Sequence, residues 1–158
     1  MNTINKQDLI IGYDAIKKVI DYYLAENNIV FKTSYSAPNK FKEMKQSFKD
    51  LGYYEVYRGG DHGHLGEIYN CKFRAIHDFM HLKYNLTFKF EDERTLSKNT
   101  VKEFSMIAWD KLNCTAWECF MVRSIVNAEI KGQIDFYEAN KKYVDDQKSF
   151  IEYYLNIA

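Results

Sequence analysis

The chain has 158 residues, of which 46% are hydrophobic, so it is long enough to bury a core as one domain without disulfide bonds. Its 22 basic and 22 acidic residues cancel, which excludes a global field that would recruit nucleic acid or an anionic membrane surface. Three cysteines in unrelated contexts favour reduced thiols, and no stretch has the length of a signal segment or a membrane span. We therefore expect one domain over residues 1–158, located in the cytoplasm, with nucleic acid and membranes disfavoured as partners.

The first third of the chain predicts two helices and two strands. A helix over residues 6–25 follows from apolar side chains three or four residues apart, and residues 28–35 favour a short strand that ends before Pro38. Residues 39–52 predict a second helix that stops at Gly52, and residues 53–58 alternate as in a second strand that pairs with the first. The inward side chains expected for the second helix are Phe41, Met44, Phe48 and Leu51.

The rest of the chain predicts helices only. A loop at residues 58–67 holds four of the seven glycines and precedes a helix that carries His77 and His81. A further helix is expected to begin at an N-cap formed by Asn99 or Thr100, followed by a long helix over residues 115–140 and a closing helix over 141–155. The predicted fold is mainly α, a single-domain helical bundle with at most a small two-stranded β element near residues 28–58.

The most informative run is residues 77–93, HDFMHLKYNLTFKFEDE. His77 and His81 are four residues apart, and Asp78 and His81 three apart, so the side chains project from one face of a helix. The eleven residues before Glu93 allow the chain to turn and bring back a fourth ligand. Imidazole and carboxylate suit Zn²⁺, Fe²⁺ or Mn²⁺, with zinc and iron favoured, and no thiolate favours a closed structural site. Without metal, the same residues would form a hydrogen-bonded patch.

Other candidate functional residues flank this run. Arg74, one turn before Asp78, either pairs with a carboxylate of the metal site or anchors an anionic substrate. His62 and His64 in the glycine-rich loop are candidates for substrate binding. Glu129 interrupts an apolar pattern and is either a further ligand, a hydrogen-bond partner of the histidines, a general base or an exposed charge.

Two family resemblances follow from these residues. The spacing of His77, Asp78, His81 and Glu93 resembles the metal motif of a ubiquinone-biosynthesis family, which is helical, binds a divalent metal and is linked to decarboxylation of coenzyme Q precursors. The apolar lipid-channel segments of that family are absent from this sequence, so its polyprenyl substrates do not carry over.

A resemblance over residues 54–152 is to uncharacterised proteins of tailed bacteriophages. Those proteins carry N-x-x-F-R-A-[IV]-H-D-x-x-H, then F-x-x-x-x-E, and later A-E-x-x-G-Q. The resemblance implies a mostly helical metal-binding fold and a phage or prophage origin, with action in the host cytoplasm. Asp92 stands where those proteins usually have Gly, which leaves open whether Glu91 or Glu93 is the ligand. The matching residues are Asn70, Phe73, Arg74, Ala75, Ile76, His77, Asp78, His81, Phe88, Glu93, Ala128, Glu129, Gly132 and Gln133.

The leading functional hypothesis is a phage-type metal-dependent enzyme, a hydrolase of a nucleotide or another small anionic substrate. In it, His77, Asp78, His81 and Glu93 hold the metal, Glu129 and Arg74 take catalytic roles, and Arg74, His62 and His64 bind substrate. The alternative is a metal-stabilised binding protein that blocks or sequesters a host protein or small molecule. Oligomeric state is left open by the sequence.

Overall fold

A computed structural model describes residues 3–157. It consists of helices with one pair of short strands, in the chain order α1 (Lys6–Glu26), β1 (Phe31–Ser34), α2 (Phe41–Leu51), β2 (Tyr54–Tyr57), α3 (Gly66–Tyr84), α4 (Phe90–Asp110), α5 (Ala116–Asn127), α6 (Gln133–Asn140) and α7 (Gln147–Tyr154). A 3-10 turn, Gly63–Leu65, precedes α3, and a π-helical segment, Ala128–Gly132, joins α5 to α6. The prediction of a mainly α fold with a small two-stranded β element is confirmed.

Two of the long helices begin with a capping box. Asn5 accepts a hydrogen bond from the backbone N–H of Asp8 at 2.8 Å, and the Asp8 carboxylate accepts one from the Asn5 N–H at 3.0 Å. Thr115 and Glu118 form the same pair of bonds at the start of α5, at 3.1 and 2.9 Å. These bonds satisfy backbone N–H groups that have no partner within the helix, so they fix where α1 and α5 begin.

The hydrophobic core is centred on α5. This helix packs against α1 on one side and α4 on the other, and it contributes fully buried side chains such as Met121 and Ile125. Phe104 of α4 and Ile20 of α1 are equally buried against them. Removing each such side chain from water stabilises the fold by roughly 1.5–3 kcal/mol, so the α1–α4–α5 core provides a rigid base for the remaining elements.

The two strands are parallel and lie beside α3. Phe31 pairs with Tyr54 and Thr33 with Val56, with α2 as the crossover between the strands. Tyr54 and Val56 point into a second, smaller apolar cluster that includes Ala75 of α3. Because this cluster joins the sheet to α3, the edge of β2 stands next to the histidines that α3 carries.

Two details of the predicted inner faces and helix starts are wrong. Leu51 was expected inside, but it is 44% exposed because it ends α2 beside the left-handed Gly52. The helix expected to begin at Asn99 or Thr100 begins at Phe90, so Thr100 lies mid-helix and its hydroxyl donates to the Leu96 carbonyl at 2.8 Å.

The closing helix is also shorter than predicted. Lys141 adopts a left-handed conformation with φ of 57° and ends α6. Asp146 accepts a hydrogen bond from the Ser149 N–H and begins α7 at Gln147, so residues 141–146 form a connection. Within residues 3–157, no helix combines the length and apolar character needed to cross a membrane.

Candidate metal centre

One stripe of α3 carries the polar side chains of the site. Asn70, Arg74, His77 and His81 succeed one another at intervals of four, three and four residues, so they lie along one face of the helix. The adjacent face carries apolar residues such as Ile76 and Met80, which are fully buried, and His81 at the end of the stripe is fully buried as well. Burial of that apolar face therefore places the polar stripe at the edge of the core.

A short turn returns the chain to this stripe. Asn85 ends α3 in a left-handed conformation, and the Asp92 carboxylate accepts hydrogen bonds from the Thr87 backbone N–H at 2.9 Å and hydroxyl at 2.6 Å. These bonds lower the pKa of Asp92 and close the turn before α4. Glu93, in the first turn of α4, is then buried at the histidines, whereas Glu91 is exposed.

Three potential ligand atoms converge at this point. His77 Nε2 lies 2.9 Å from Glu93 Oε2, and His81 Nε2 lies 3.0 Å from Glu93 Oε1. The two imidazole Nε2 atoms are 3.1 Å apart. A His-His-Glu group of this kind is able to bind a metal ion.

The hydrogen bonds around His81 decide which ring atom faces the other two residues. Its Nδ1 lies 2.7 Å from the carbonyl oxygen of Leu86, which can only accept, so Nδ1 carries the proton. The Nε2 atom of His81 then faces Glu93 and His77. These contacts would be satisfied by a metal ion bound to both Nε2 atoms and Glu93, or by a proton on His77 Nε2 that is donated to a neighbouring acceptor.

The electrostatics of Glu93 agree with a cationic neighbourhood. Burial alone would raise the pKa of this carboxyl, but the charge and hydrogen bonds of His77 and His81 outweigh it and bring the pKa to about 2. Glu93 is therefore ionised across the physiological range. An ionised carboxylate and two imidazole nitrogens are the donor set that Zn²⁺, Fe²⁺ and Mn²⁺ accept.

The spacing of the three donors also fits one ion. Ligand atoms about 2.1 Å from an ion are about 3.0 Å apart at the right angles of octahedral coordination and about 3.4 Å apart in the tetrahedral coordination of zinc. The separations of 2.9, 3.0 and 3.1 Å match the octahedral spacing and are also ordinary hydrogen-bond distances. Three protein ligands on one side of an ion leave the opposite side for water or substrate.

Asp78, the fourth ligand expected from the sequence, lies outside this group. It is partly buried, and burial raises its pKa to about 7, although the charge of His81 acts in the opposite direction. Its charge in turn adds to the effect of burial in raising the pKa of Tyr54 to about 12. Asp78 thus faces the sheet side of the site, next to the three converging residues.

The converging residues open into a cleft of about 580 Å³. This volume falls in the range of small-molecule sites. The cleft lies between α3, β2, the start of α4 and the π segment with α6. Of the residues proposed from the sequence, those that line it are His62, Arg74, His77, Asp78, His81, Glu93 and Glu129.

Arg74 lines the cleft without a carboxylate partner. Its Nη1 donates to the carbonyl oxygens of Tyr57 at 2.5 Å and Gly59 at 2.9 Å, which holds the start of the glycine-rich loop against α3. Burial lowers the pKa of the guanidinium, and among residues 3–157 it takes part in no ion pair. Its Nε and Nη2 atoms form no hydrogen bond with residues 3–157, and the guanidinium carbon lies 5.7 Å from the centroid of the Tyr57 ring.

The two loop histidines separate in the structure. His62 lines the cleft, and its Nδ1 accepts a hydrogen bond from the Asn70 amide at 3.0 Å. His64 is not among the cleft residues; its ring packs on Tyr13 with centroids 5.1 Å apart, and burial lowers its pKa. The structure therefore places His62 in the candidate site and His64 outside it.

Glu129 occupies the wall of the cleft formed by the π segment. Its Oε1 accepts a hydrogen bond from the Tyr13 hydroxyl at 2.6 Å, and its Oε2 accepts one from the Gln133 amide at 3.3 Å. Burial raises the pKa of Glu129 to about 7, against the opposing effect of the Tyr13 hydrogen bond. It forms no hydrogen bond with His77 or His81 and lies outside the converging group of His77, His81 and Glu93.

Three contributors to the site were not expected from the sequence: Tyr13, Asn70 and the Leu86 carbonyl. Asn70 belongs to the phage-type motif, which was the available signal for it. Tyr13 was expected only as part of the apolar stripe of α1, and nothing local indicates its contact with Glu129, which is 116 residues away. The contribution of Leu86 could not be predicted from its side chain, because it comes from a backbone carbonyl that every residue has.

In comparisons with known proteins, no protein-family model, curated protein or solved structure matches the chain.

Proposed function

We propose that the protein is a metal-dependent hydrolase of a small anionic substrate, with one divalent ion held by His77, His81 and Glu93. The observation that carries the proposal is the convergence of these three donors, within 3.1 Å of each other, at the wall of a substrate-sized cleft. Both zinc hydrolases and iron enzymes use two histidines and one carboxylate, so zinc and iron are the metals to test first, followed by manganese.

The chain's own residues supply the other parts of a hydrolytic site. Arg74 offers an unpaired guanidinium to an anionic group, and His62 lines the same cleft. Glu129, with a pKa near 7, is partly deprotonated at neutral pH and can accept a proton from an attacking water. When bound, a divalent ion supplies Lewis acidity and lowers the pKa of water toward neutrality.

The test is turnover by protein stripped of metal and reloaded separately with Zn²⁺, Mn²⁺ and, under anaerobic conditions, Fe²⁺. We expect one of these to restore hydrolysis of a nucleotide or phosphoester from a panel that covers mono-, di- and triphosphates and phosphodiesters. Glu129→Gln should then lower kcat by about 100-fold or more while metal content stays constant. Glu26→Gln, at an exposed position on α1, is the matched control. Absence of metal-dependent turnover across the panel would refute the hydrolase.

A metal-stabilised binding protein is the second candidate, favoured by one specific observation. The ligands join α3 to α4, and His81 is fully buried, so a bound ion would link two helices at the edge of the core. The partner would then be a host protein or a sequestered small molecule. Metal removal separates the two candidates, because a structural site leaves an unfolded protein and a catalytic site leaves a folded one that regains activity.

The resemblance to tailed-phage proteins supports a further part of the proposal, a phage or prophage origin with action in the host cytoplasm. This proposed origin is supported only by the motif residues around His77 and Glu129.

A further inference from the structure

The surroundings of Arg74 indicate that the substrate carries an anionic group. A partly buried guanidinium normally has a carboxylate or phosphate partner, because an uncompensated charge is costly to remove from water. Here Nη1 is held by two carbonyl oxygens, and the remaining donors have no protein acceptor among residues 3–157. One anionic group of a ligand would complete this arrangement.

A second part of the cleft lining is aromatic. Tyr137 and Tyr143 pack with centroids 4.7 Å apart, and Phe90 lies 6.0 Å from Tyr137. All three line the cleft, and Tyr143 is 78% exposed although it is held against Tyr137. An aromatic ring with one free face beside a cleft is suited to stacking with a planar ring of a ligand.

The charge of the cleft limits how many anionic groups the ligand carries. Arg74 is the one Lys or Arg among the described cleft residues, against five carboxylates. One of these, Asp61, accepts hydrogen bonds from the backbone N–H groups of Gln147 at 2.8 Å and Gly63 at 3.2 Å, which lower its pKa. Even with a divalent ion present, a polyanion would meet a negative wall. The five carboxylates are Glu55, Asp61, Asp78, Glu93 and Glu129.

We propose that the cleft binds a planar aromatic molecule bearing a single anionic group, with the ring against the Tyr137–Tyr143 pair and the anion at Arg74. The proposal rests on the proposed function, because the bound ion offsets part of the negative charge, and it narrows the substrate class. The anionic group is a carboxylate or a phosphoryl group, since both match the planar donor fork of arginine.

The experiment measures binding to the metal-loaded protein by isothermal titration calorimetry with non-hydrolysable probes. Phenylphosphonate and benzoate carry a ring and one anionic group, methylphosphonate and acetate carry the anionic group alone, benzamide carries the ring alone, and benzene-1,3,5-tricarboxylate is the polyanion. We expect at least one of the first two to bind fivefold or more tightly than its ring-free counterpart, than benzamide and than the tricarboxylate. Whichever of the two binds more tightly identifies the anionic group.

Two tyrosine variants provide the matched comparison. Tyr143→Ser should weaken binding of the preferred probe by about fivefold or more, whereas Tyr153→Ser, at a position 86% exposed and outside the cleft, should leave it unchanged. Both positions are exposed, so neither substitution disturbs the core.

Metal content measured on the same samples separates the two proposals. Equal binding by ring-bearing and ring-free probes, tighter binding of the tricarboxylate, or equal loss in both tyrosine variants, in a protein that holds metal, would overturn this inference and leave the proposed function standing. A protein without metal would overturn the proposed function and this inference with it.

Discussion

At the scale of single residues, Glu129 links pH to stability. Its pKa is about 7 in the folded protein against an ordinary value of 4.5, so the folded state favours the protonated form. The stability that comes from this proton is fully present below pH 4.5 and is lost as pH rises through 7. Glu129→Gln, which mimics the protonated group, should remove this loss.

The measurement is the free energy of unfolding by urea at several pH values from 4.5 to 8. Relative to wild type, Glu129→Gln should gain on the order of 2 kcal/mol at pH 8 and little at pH 4.5. The exposed Glu26→Gln should run parallel to wild type throughout. Parallel curves for Glu129→Gln and wild type would show that Glu129 is not held protonated by its surroundings.

Asp78 allows a second test at this scale. Because it lies outside the converging group, Asp78→Asn should retain metal, whereas Glu93→Gln, which removes a ligand charge, should lose affinity by 10-fold or more. Competition with a metal-binding dye would measure both affinities. Equal loss in the two variants would restore Asp78 as a ligand, as the sequence alone suggested.

The site residues divide by how far apart they are in the chain. His77, His81 and Glu93 could be predicted because helical spacing and one short turn bring them together within 17 residues, as the sequence numbers show. The pairing of Glu129 with Tyr13 could not, because it depends on how α1 packs against the π segment. The partners of Arg74 could not be predicted either, because they are the backbone carbonyls of Tyr57 and Gly59.

At the scale of elements, α1 approaches α5 closely at Gly12. A Cβ added at Gly12 would lie 2.5 Å from Ile125 Cδ1 and 3.0 Å from Met121 Cβ. The second contact is the harder to relieve, because a Cβ atom cannot move without its helix. Gly12→Ala should therefore destabilise the protein by about 1–2 kcal/mol, although alanine favours the helix by up to about 1 kcal/mol.

Thermal unfolding checks this prediction. Asp14→Ala, two residues further on the exposed face of α1, controls for the change in helix propensity. We expect a lower melting temperature for Gly12→Ala and little change for Asp14→Ala. A Gly12→Ala variant as stable as wild type would mean that α1 and α5 can move apart at no cost.

Element boundaries show what local pattern can and cannot predict. The starts of α1 and α5 carry capping residues and lie close to where the sequence indicates. The start of α4 was misplaced because its first turns, FEDERTLSKN, are mostly polar, and an N-cap signal at Asn99 competes with the true start at Phe90. The π segment, Ala128–Gly132, continues directly from α5 into α6, and no residue pattern in the sequence predicted it.

At the scale of the whole molecule, the metal would act as a link between α3 and α4. A ligand that binds only the folded state at 100 times its Kd adds about 2.7 kcal/mol of stability, which corresponds to about 5–10 °C for a chain of this size. Chelator should lower the melting temperature of the metal-loaded protein by that amount. The same chelator should leave His81→Ala unaffected, and an equal shift in both would mean that the metal is bound elsewhere.

The central claim is that His77, His81 and Glu93 hold one metal ion, and elemental analysis of the purified, untagged protein by inductively coupled plasma mass spectrometry tests it most directly. The account predicts close to one equivalent of zinc, iron or manganese in wild type, close to none in His81→Ala, and full occupancy in Cys114→Ala. Metal-free wild type, or equal metal in wild type and His81→Ala, would reduce the three residues to a hydrogen-bonded patch and contradict the account.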